Sequence, residues 1–237
     1  MPLVFPLYAA LSMAALASCS AGIEAVVREG GAAEISLKTS LEPRTTALIR
    51  SLRAFMGEAA DAPVLDGPAM SASLALLPGV RAVSLKNTGP SGLDGTISIS
   101  NVGNFLASGG EKGRFITFTE GRTAGSSSII IALDRNSAPE LISRLSSEAE
   151  DYLSALMAPV VLGETSTRQE YLELLAAVYG RPLADEIAAA RIRAQIEFPR
   201  QVTAVKGGTA SGKRTDFDIP LVDLLVLESP LAWEISW

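Results

Sequence analysis

Ile23-Glu24-Ala25-Val26-Val27-Arg28-Glu29-Gly30-Gly31-Ala32-Ala33-Glu34-Ile35-Ser36-Leu37-Lys38-Thr39-Ser40-Leu41 is the stretch on which the fold class turns. Its second half alternates with a period of two. Ala33, Ile35, Leu37, Thr39 and Leu41 fall on one face, and Glu34, Ser36, Lys38 and Ser40 on the other. A strand marked in this way has one wet face, which is the habit of antiparallel sheets. Residues 23–28 form a first strand. Glu29-Gly30-Gly31 turns it back, because glycine tolerates the positive φ that tight hairpins need.

Downstream, Pro43 is suited to the first turn of a helix. Leu48, Ile49, Leu52, Phe55 and Met56 follow at helical spacing, and Gly57 is a stop. Residues 57–68 read as a loop and 69–77 as a shorter helix closed by Pro78-Gly79. Residues 80–86 and 95–100 are expected as strands around a loop at 87–92, with one helical turn at 103–106. Residues 114–120 and 127–133 form another hairpin across 121–125. A helical middle runs over 137–190. Ser137 with Glu140, and Thr167 with Glu170, have the spacing of capping boxes. Leu141, Leu145, Tyr152, Leu153 and Leu156 give the first helix an apolar side, and Tyr171, Leu172, Leu175, Val178 and Tyr179 the second. Pro182 opens a third. Strands return at 192–198, in a hairpin of 201–206 with 213–219, and in a last strand with Leu231, Trp233, Ile235 and Trp237 on one side. The order predicts an α+β fold: a mainly antiparallel β-sheet of hairpins with the helical middle packed on one face, all in one domain over residues 19–237.

Upstream of the hairpin, residues 3–17 are almost wholly apolar, interrupted by Pro6 and Ser12. The run is too short and too Ala-rich for a spanning helix, and suits the core of a signal peptide. It leads into Leu16-Ala17-Ser18-Cys19, which reads as a lipobox, so residues 1–18 are expected to be a lipoprotein signal peptide and Cys19 the lipidation site. Small residues fit the peptidase cleft, and the Cys19 sulfur accepts diacylglycerol. Two or three acyl chains anchor stably where one binds marginally. The positive segment that usually precedes such a run is missing, as it would be if the true start lay upstream of Met1. The competing reading is a buried N-terminal helix with a structural cysteine. No later apolar run is long enough to span a bilayer. The expected location is the bacterial cell envelope, facing the periplasm or the cell surface, with the membrane held through acylated Cys19.

Composition narrows the function classes. The chain has 237 residues, 48% hydrophobic and 19% charged, which is globular and not disordered. A net charge of −6 with no basic cluster argues against nucleic acid, whose binding rests on neutralised phosphates. The absence of histidine removes Ser-His-Asp and Cys-His catalysis and imidazole metal sites. Cys19 is the only cysteine, which removes intrachain disulfides, Cys-rich zinc sites and thiol redox pairs. No Ser-x-x-Lys or Gly-x-Ser-x-Gly motif is present. No catalytic, metal or cofactor-binding residues are expected.

Five constellations stand out, three of them with a sharp reading beside the bland one. Gly207-Gly208-Thr209-Ala210-Ser211-Gly212-Lys213 has the spacing of a phosphate loop, but Arg214 stands where Ser or Thr should ligate Mg²⁺. Its flanks also read as two strands, so it is expected to be a flexible hairpin turn. Asp216 and Asp218 share a strand face and suggest a cation site or acid/base pair, against a solvated strand edge. Glu148, Glu150 and Asp151 mark the wet side of a helix, and Arg191 and Arg193 are outward charges that discourage edge pairing. Trp233 and Trp237 point the same way, as the wall of an apolar-ligand face or as sheet core.

With these residues laid out, the chain resembles the LppM-like bacterial lipoproteins, in the form found among spirochaetes. The resemblance rests on Leu16-Ala17-Ser18-Cys19 followed at once by a short strand, and on the strand, Gly turn and strand of 23–41. It rests also on the tail Phe198-Pro199, 202–205, Gly207-Gly208, Gly212, Phe217 and Ile219-Pro220. Glu-Gly-Gly departs from the usual acidic Gly turn, and Phe217 stands where an aromatic such as Trp is usual. The middle at 137–190 is an elaboration, and the chain ends at Trp237 where relatives can continue into a membrane helix. The resemblance implies a lipid-anchored α+β domain facing away from the membrane, with a lipid-binding role and no catalytic residues. The leading expectation is a non-enzymatic envelope lipoprotein that binds a protein partner or an apolar ligand. The alternative is a lipid carrier or sensor with a cavity between sheet and helices. The third is a hydrolase using the carboxylates of Asp216 and Asp218.

Overall fold

The computed structural model describes residues 21–55, 63–107, 116–121, 123, 126–138 and 156–237. The opening hairpin forms as its alternation dictates. Strands β1 (Ala21–Val27) and β2 (Ala33–Ser40) pair antiparallel, with Ile23 opposite Leu37 and Ala25 opposite Ile35. Gly30 and Gly31 take φ of 83° and 81° in the turn, where a side chain would be strained. Ala33, Leu37 and Thr39 are buried, while Glu34, Ser36, Lys38 and Ser40 are exposed.

Helix α1 (Pro43–Phe55) and helix α2 (Gly67–Ala75) then lead to strands β3 (Val80–Asn87) and β4 (Gly92–Ile99), and β4 pairs with both β2 and β3. Asp66 caps α2 by accepting from the Ala69 amide at 3.0 Å. The free edge of β3 is shielded by this helix. The Leu85 amide donates to Ser71 Oγ at 2.8 Å, and the Gly67 amide to Asn87 Oδ1 at 3.2 Å.

Helix α3 (Val102–Ala107) precedes strands β5 (Ile116–Glu120) and β6 (Ser127–Leu133). Of the helical middle, α4 (Ala158–Val161), α5 (Arg168–Tyr179) and α6 (Arg181–Ala189) are described. The Thr167 box is formed: the Thr167 amide donates to Glu170 Oε2 at 2.8 Å and the Glu170 amide to Thr167 Oγ1 at 3.2 Å. Residues 139–155 lie outside the described residues, and with them Glu140 of the first box, the apolar positions 141–153 and the acidic positions 148–151.

The tail is β7 (Arg191–Glu197), β8 (Ala204–Lys206), β9 (Thr209–Ser211), β10 (Arg214–Pro220), α7 (Leu221–Val226) and β11 (Leu231–Ser236). The larger sheet has the order β3-β4-β2-β1-β7-β10-β9, and the smaller β5-β6-β11-β8. The α+β class with mainly antiparallel pairing is therefore the observed one. The exception is β1 with β7, which run parallel, with Ala25 beside Ile196. The opening strand is thus the fourth of seven and the centre of its sheet. Ile23, Leu37, Leu93, Ile97, Ile192 and Phe217 on the sheet's inner face join the buried residues of the helices and of the smaller sheet in one continuous core.

Three expectations are corrected. Residues 201–206 and 213–219 are not one hairpin. β8 pairs with β11 in the smaller sheet, and β9 turns through Gly212-Lys213 onto β10. The reason lies in the glycine pair between them. A Cβ on Gly207 would stand 2.6 Å from Trp233 Cδ1, and one on Gly208 2.5 Å from Phe217 Cδ1. Of the expected hairpin turn, Gly207-Gly208 is instead a close-packed crossing from one sheet to the other, while Gly212-Lys213 is a hairpin turn with open space around Gly212. Arg191 and Arg193 do not guard an edge, because β7 is held between β1 and β10; Asp216 is likewise covered by β9, whereas Asp218 lies past the end of β9 on a solvated strand edge, as expected. Helix α7 was not anticipated, since Leu221, Val222, Leu224, Leu225 and Val226 are all buried and leave no one-sided pattern to read.

Candidate functional site

Among the described residues the helices and the smaller sheet are packed on the inner face, and none covers the outer, bare face of the larger sheet. Its side chains lie in rows set by strand register. Lys86 faces Asp94, which faces Lys38. Lys38 faces Gly22, Gly22 faces Arg193, and Arg193 faces Asp218. One step along the strands, the row is Ser84, Thr96, Ser36, Glu24, Gln195, Asp216 and Thr209. Lys38, Glu24, Arg193, Asp216 and Asp218 are exposed. Among the described residues Lys38, Lys86, Arg193 and Arg214 take part in no ion pair.

Gly22 leaves the middle of the first row without a side chain, and a groove of about 580 Å³ opens there, lined by Glu24, Arg193, Gln195, Asp216 and Asp218. Gln195 Nε2 donates to Asp216 Oδ1 at 2.6 Å and fixes that carboxylate's direction. The parallel pairing of β1 with β7 brings Glu24 to the same groove as the two aspartates. No local spacing announces this, because Glu24 and Asp216 sit at opposite ends of the chain. Among the described residues no three carboxylates come together as a cation's ligand set. The arrangement offers exposed charges, amides and hydroxyls, which suits recognition of a polar surface.

A second groove of about 590 Å³ lies beside the N-terminus of α5, between the turn after β6 and the loop after α7. Its polar groups are already engaged. Arg135 donates to the carbonyls of Leu227, Glu164 and Ser166 at 2.8, 2.9 and 2.9 Å, tying three loops together. Leu227 is the one non-glycine residue with positive φ among those described, at 47°. The Arg168 amide donates to Glu228 Oε2 at 2.9 Å. Asp134 accepts from the Ser137 and Asn136 amides, and these bonds, Ser137's first, hold its carboxyl below the usual range. This region is structural.

The residues singled out from sequence fare differently. Asp216 and Asp218 do share the bare face and line the first groove. Trp233 and Trp237 do point the same way, but both are buried. Trp237 stacks on Phe198 with ring centroids 4.3 Å apart, and Phe118 stands 6.3 Å away. Neither indole lines either groove, so as an apolar-ligand face they are replaced by aromatic core. Cys19 lies outside the described residues. Among the described residues no helix is long and apolar enough to cross a membrane.

In structure the chain is similar to the folded domain of LppM from Mycobacterium tuberculosis, determined by NMR. The likeness has a TM-score of 0.40 and 10% identity, over 93% of this chain and 89% of that one. No protein-family profile matches the sequence. No curated protein matches it either.

Proposed function

We propose that the chain is a lipid-anchored, non-enzymatic protein of the bacterial cell envelope, whose α+β domain binds a protein partner through the bare face of its larger sheet. The observation that carries the reading is Leu16-Ala17-Ser18-Cys19, placed immediately ahead of Ala21, where the central strand begins. A cysteine in that setting is an acyl acceptor, and two or three chains suffice for a stable anchor. The bare face favours a protein over an apolar ligand. Its side chains are charged or hydroxylic, while the apolar side of the sheet is already filled. The residues of the LppM-like resemblance, 23–41 and 198–220, contribute five strands of the two sheets, which agrees with a lipoprotein domain of that kind.

The test is expression of the full chain in bacteria fed labelled palmitate. The native protein should take up label and sediment with membranes after a carbonate wash. The Cys19→Ala variant should do neither. Label retained on Cys19→Ala would overturn the anchor. For the partner, reversal of charge at Glu24 and Asp216 should abolish cross-links formed by the native protein in intact cells. Lipid co-purifying with the detergent-free domain in native mass spectrometry would favour a carrier instead.

A further inference from the structure

We infer that the larger sheet stands upright on the membrane, with the end of the sheet at Ala21 against the phospholipid headgroups and the bare face turned sideways, away from the lipid. The inference rests on acylation at Cys19 and adds to it the surface that meets the bilayer.

The argument is one of reach and of central attachment. One residue, Ser20, separates Cys19 from Ala21, so their Cα atoms lie at most about 7 Å apart. Ala21 is fully buried, between β2 and β7, and cannot swing out on a flexible arm. Its strand is the fourth of seven, and at the Ala21 end it has β2, β4 and β3 on one side and β7 and β10 on the other, since β9 reaches only to the level of Glu24. The flanks therefore extend roughly 14 Å on one side and roughly 10 Å on the other from the attachment point. Tilting in the plane of the sheet by more than roughly 30° would push one flank into the bilayer. A strand attached at the edge would have no such restraint.

Leaning out of that plane is opposed on both sides. Toward the inner face the bulk of α1, α6 and α7 intervenes. Toward the bare face, Glu24, Glu34, Asp94, Glu197, Asp216 and Asp218 would be set against lipid phosphates, and Lys38, Lys86, Arg193 and Arg214 on the same face offset them only in part. The end that remains in contact suits a headgroup layer. Beyond the level of Ala21 lies the turn Thr88-Gly89-Pro90-Ser91, small and uncharged, closed by the Thr88 amide donating to the Gly92 carbonyl at 3.0 Å. Arg44 and Arg191 lie at the same end of the sheet, whose first row carries Lys86, Lys38 and Arg193 along with Asp94 and Asp218. The turn at Glu29 lies at the opposite end of β1, roughly 20 Å or more from the lipid.

Because Cys19 is the only native cysteine, and acylation consumes its thiol, an introduced cysteine gives a unique label. The acylated full-length protein is placed in phosphatidylcholine–phosphatidylglycerol vesicles carrying headgroup spin-labelled lipid, after intact-mass measurement of its acyl chains. An environment-sensitive fluorophore is attached at Thr88→Cys, Glu42→Cys, Ser36→Cys or Glu29→Cys, all at exposed side chains. Fluorescence should be lost to the spin label at 88 and 42 and retained at 36 and 29; the two near-end positions guard against one variant failing to fold. Equal loss at all four positions means the bare face lies on the lipid and overturns the inference, as does retention at both 88 and 42. A mass without acyl chains removes the anchor reading and this one together. Acyl chains with the wrong pattern of loss remove only this one.

Discussion

Three glutamates end three different arguments about capping. Glu170 serves its own helix through the Thr167 box, and its bonds to the Thr167 amide and hydroxyl hold its carboxyl below the usual range. A carboxylate whose pKa is lower in the folded state adds stability above its unfolded pKa and loses it as pH falls through the folded one. Urea midpoints should accordingly show Thr167→Ala destabilising by about 1 kcal/mol at neutral pH, with the gap to the native protein narrowing on acidification below the carboxylate range. Glu228 and Glu186 serve other elements. Glu186, on α6, accepts from the Thr45 amide and hydroxyl at 3.1 and 3.2 Å and so caps α1. The Thr167 box was legible because its four residues are consecutive. Glu186 was not, because its partner lies 141 residues away and no local pattern marks it. The same scale holds two buried threonines, Thr39 and Thr215, whose hydroxyls have no hydrogen-bond partner among the described residues. An unpaired buried hydroxyl is a cost that a methyl of the same shape removes. Thr39→Val and Thr215→Val should each raise stability by about 1 kcal/mol in thermal melts, and a lowered melting temperature would show that the hydroxyl is satisfied in solution.

Among elements, the sheet crossing at Gly207-Gly208 leaves no room for a side chain. Gly208→Ala would press a methyl into the Phe217 ring and should cost about 1–3 kcal/mol in denaturant melts. Gly22→Ala is the control: its Cβ would meet only the Lys38 carbonyl, at 3.7 Å, and stability should be nearly unchanged. Strands and helices with one wet side were readable in place, as β2, α1 and the hairpin of β5 with β6 show. What escaped was pairing. Alternation marks a strand but does not name its neighbour, so β8 and β10 read as one hairpin, whereas β8 pairs with β11 and the close approach of Gly207 to Trp233 and of Gly208 to Phe217 carries the chain across to β9. The bare face and its groove were half legible for the same reason. Asp216 and Asp218 announce a shared face through their spacing of two, whereas Glu24 and Arg193 reach it only through long-range register.

At the scale of the molecule, one core joins both sheets, and both tryptophans sit on β11 in the smaller one or just beyond it. Loss of tryptophan fluorescence and loss of far-ultraviolet circular dichroism should then coincide in urea. Separate midpoints would mean that the smaller sheet unfolds on its own. The central parallel pair carries a further consequence. β1 is among the first segments to leave the ribosome, and β7 follows only after most of the chain has been made, so Ala25 must wait for Ile196. Contacts so distant in sequence form slowly. Until β7 arrives, the opening hairpin has one uncovered side, and the main sheet cannot close. The finished domain is therefore out of reach through most of its synthesis, although β1 to β4 can pair with one another early.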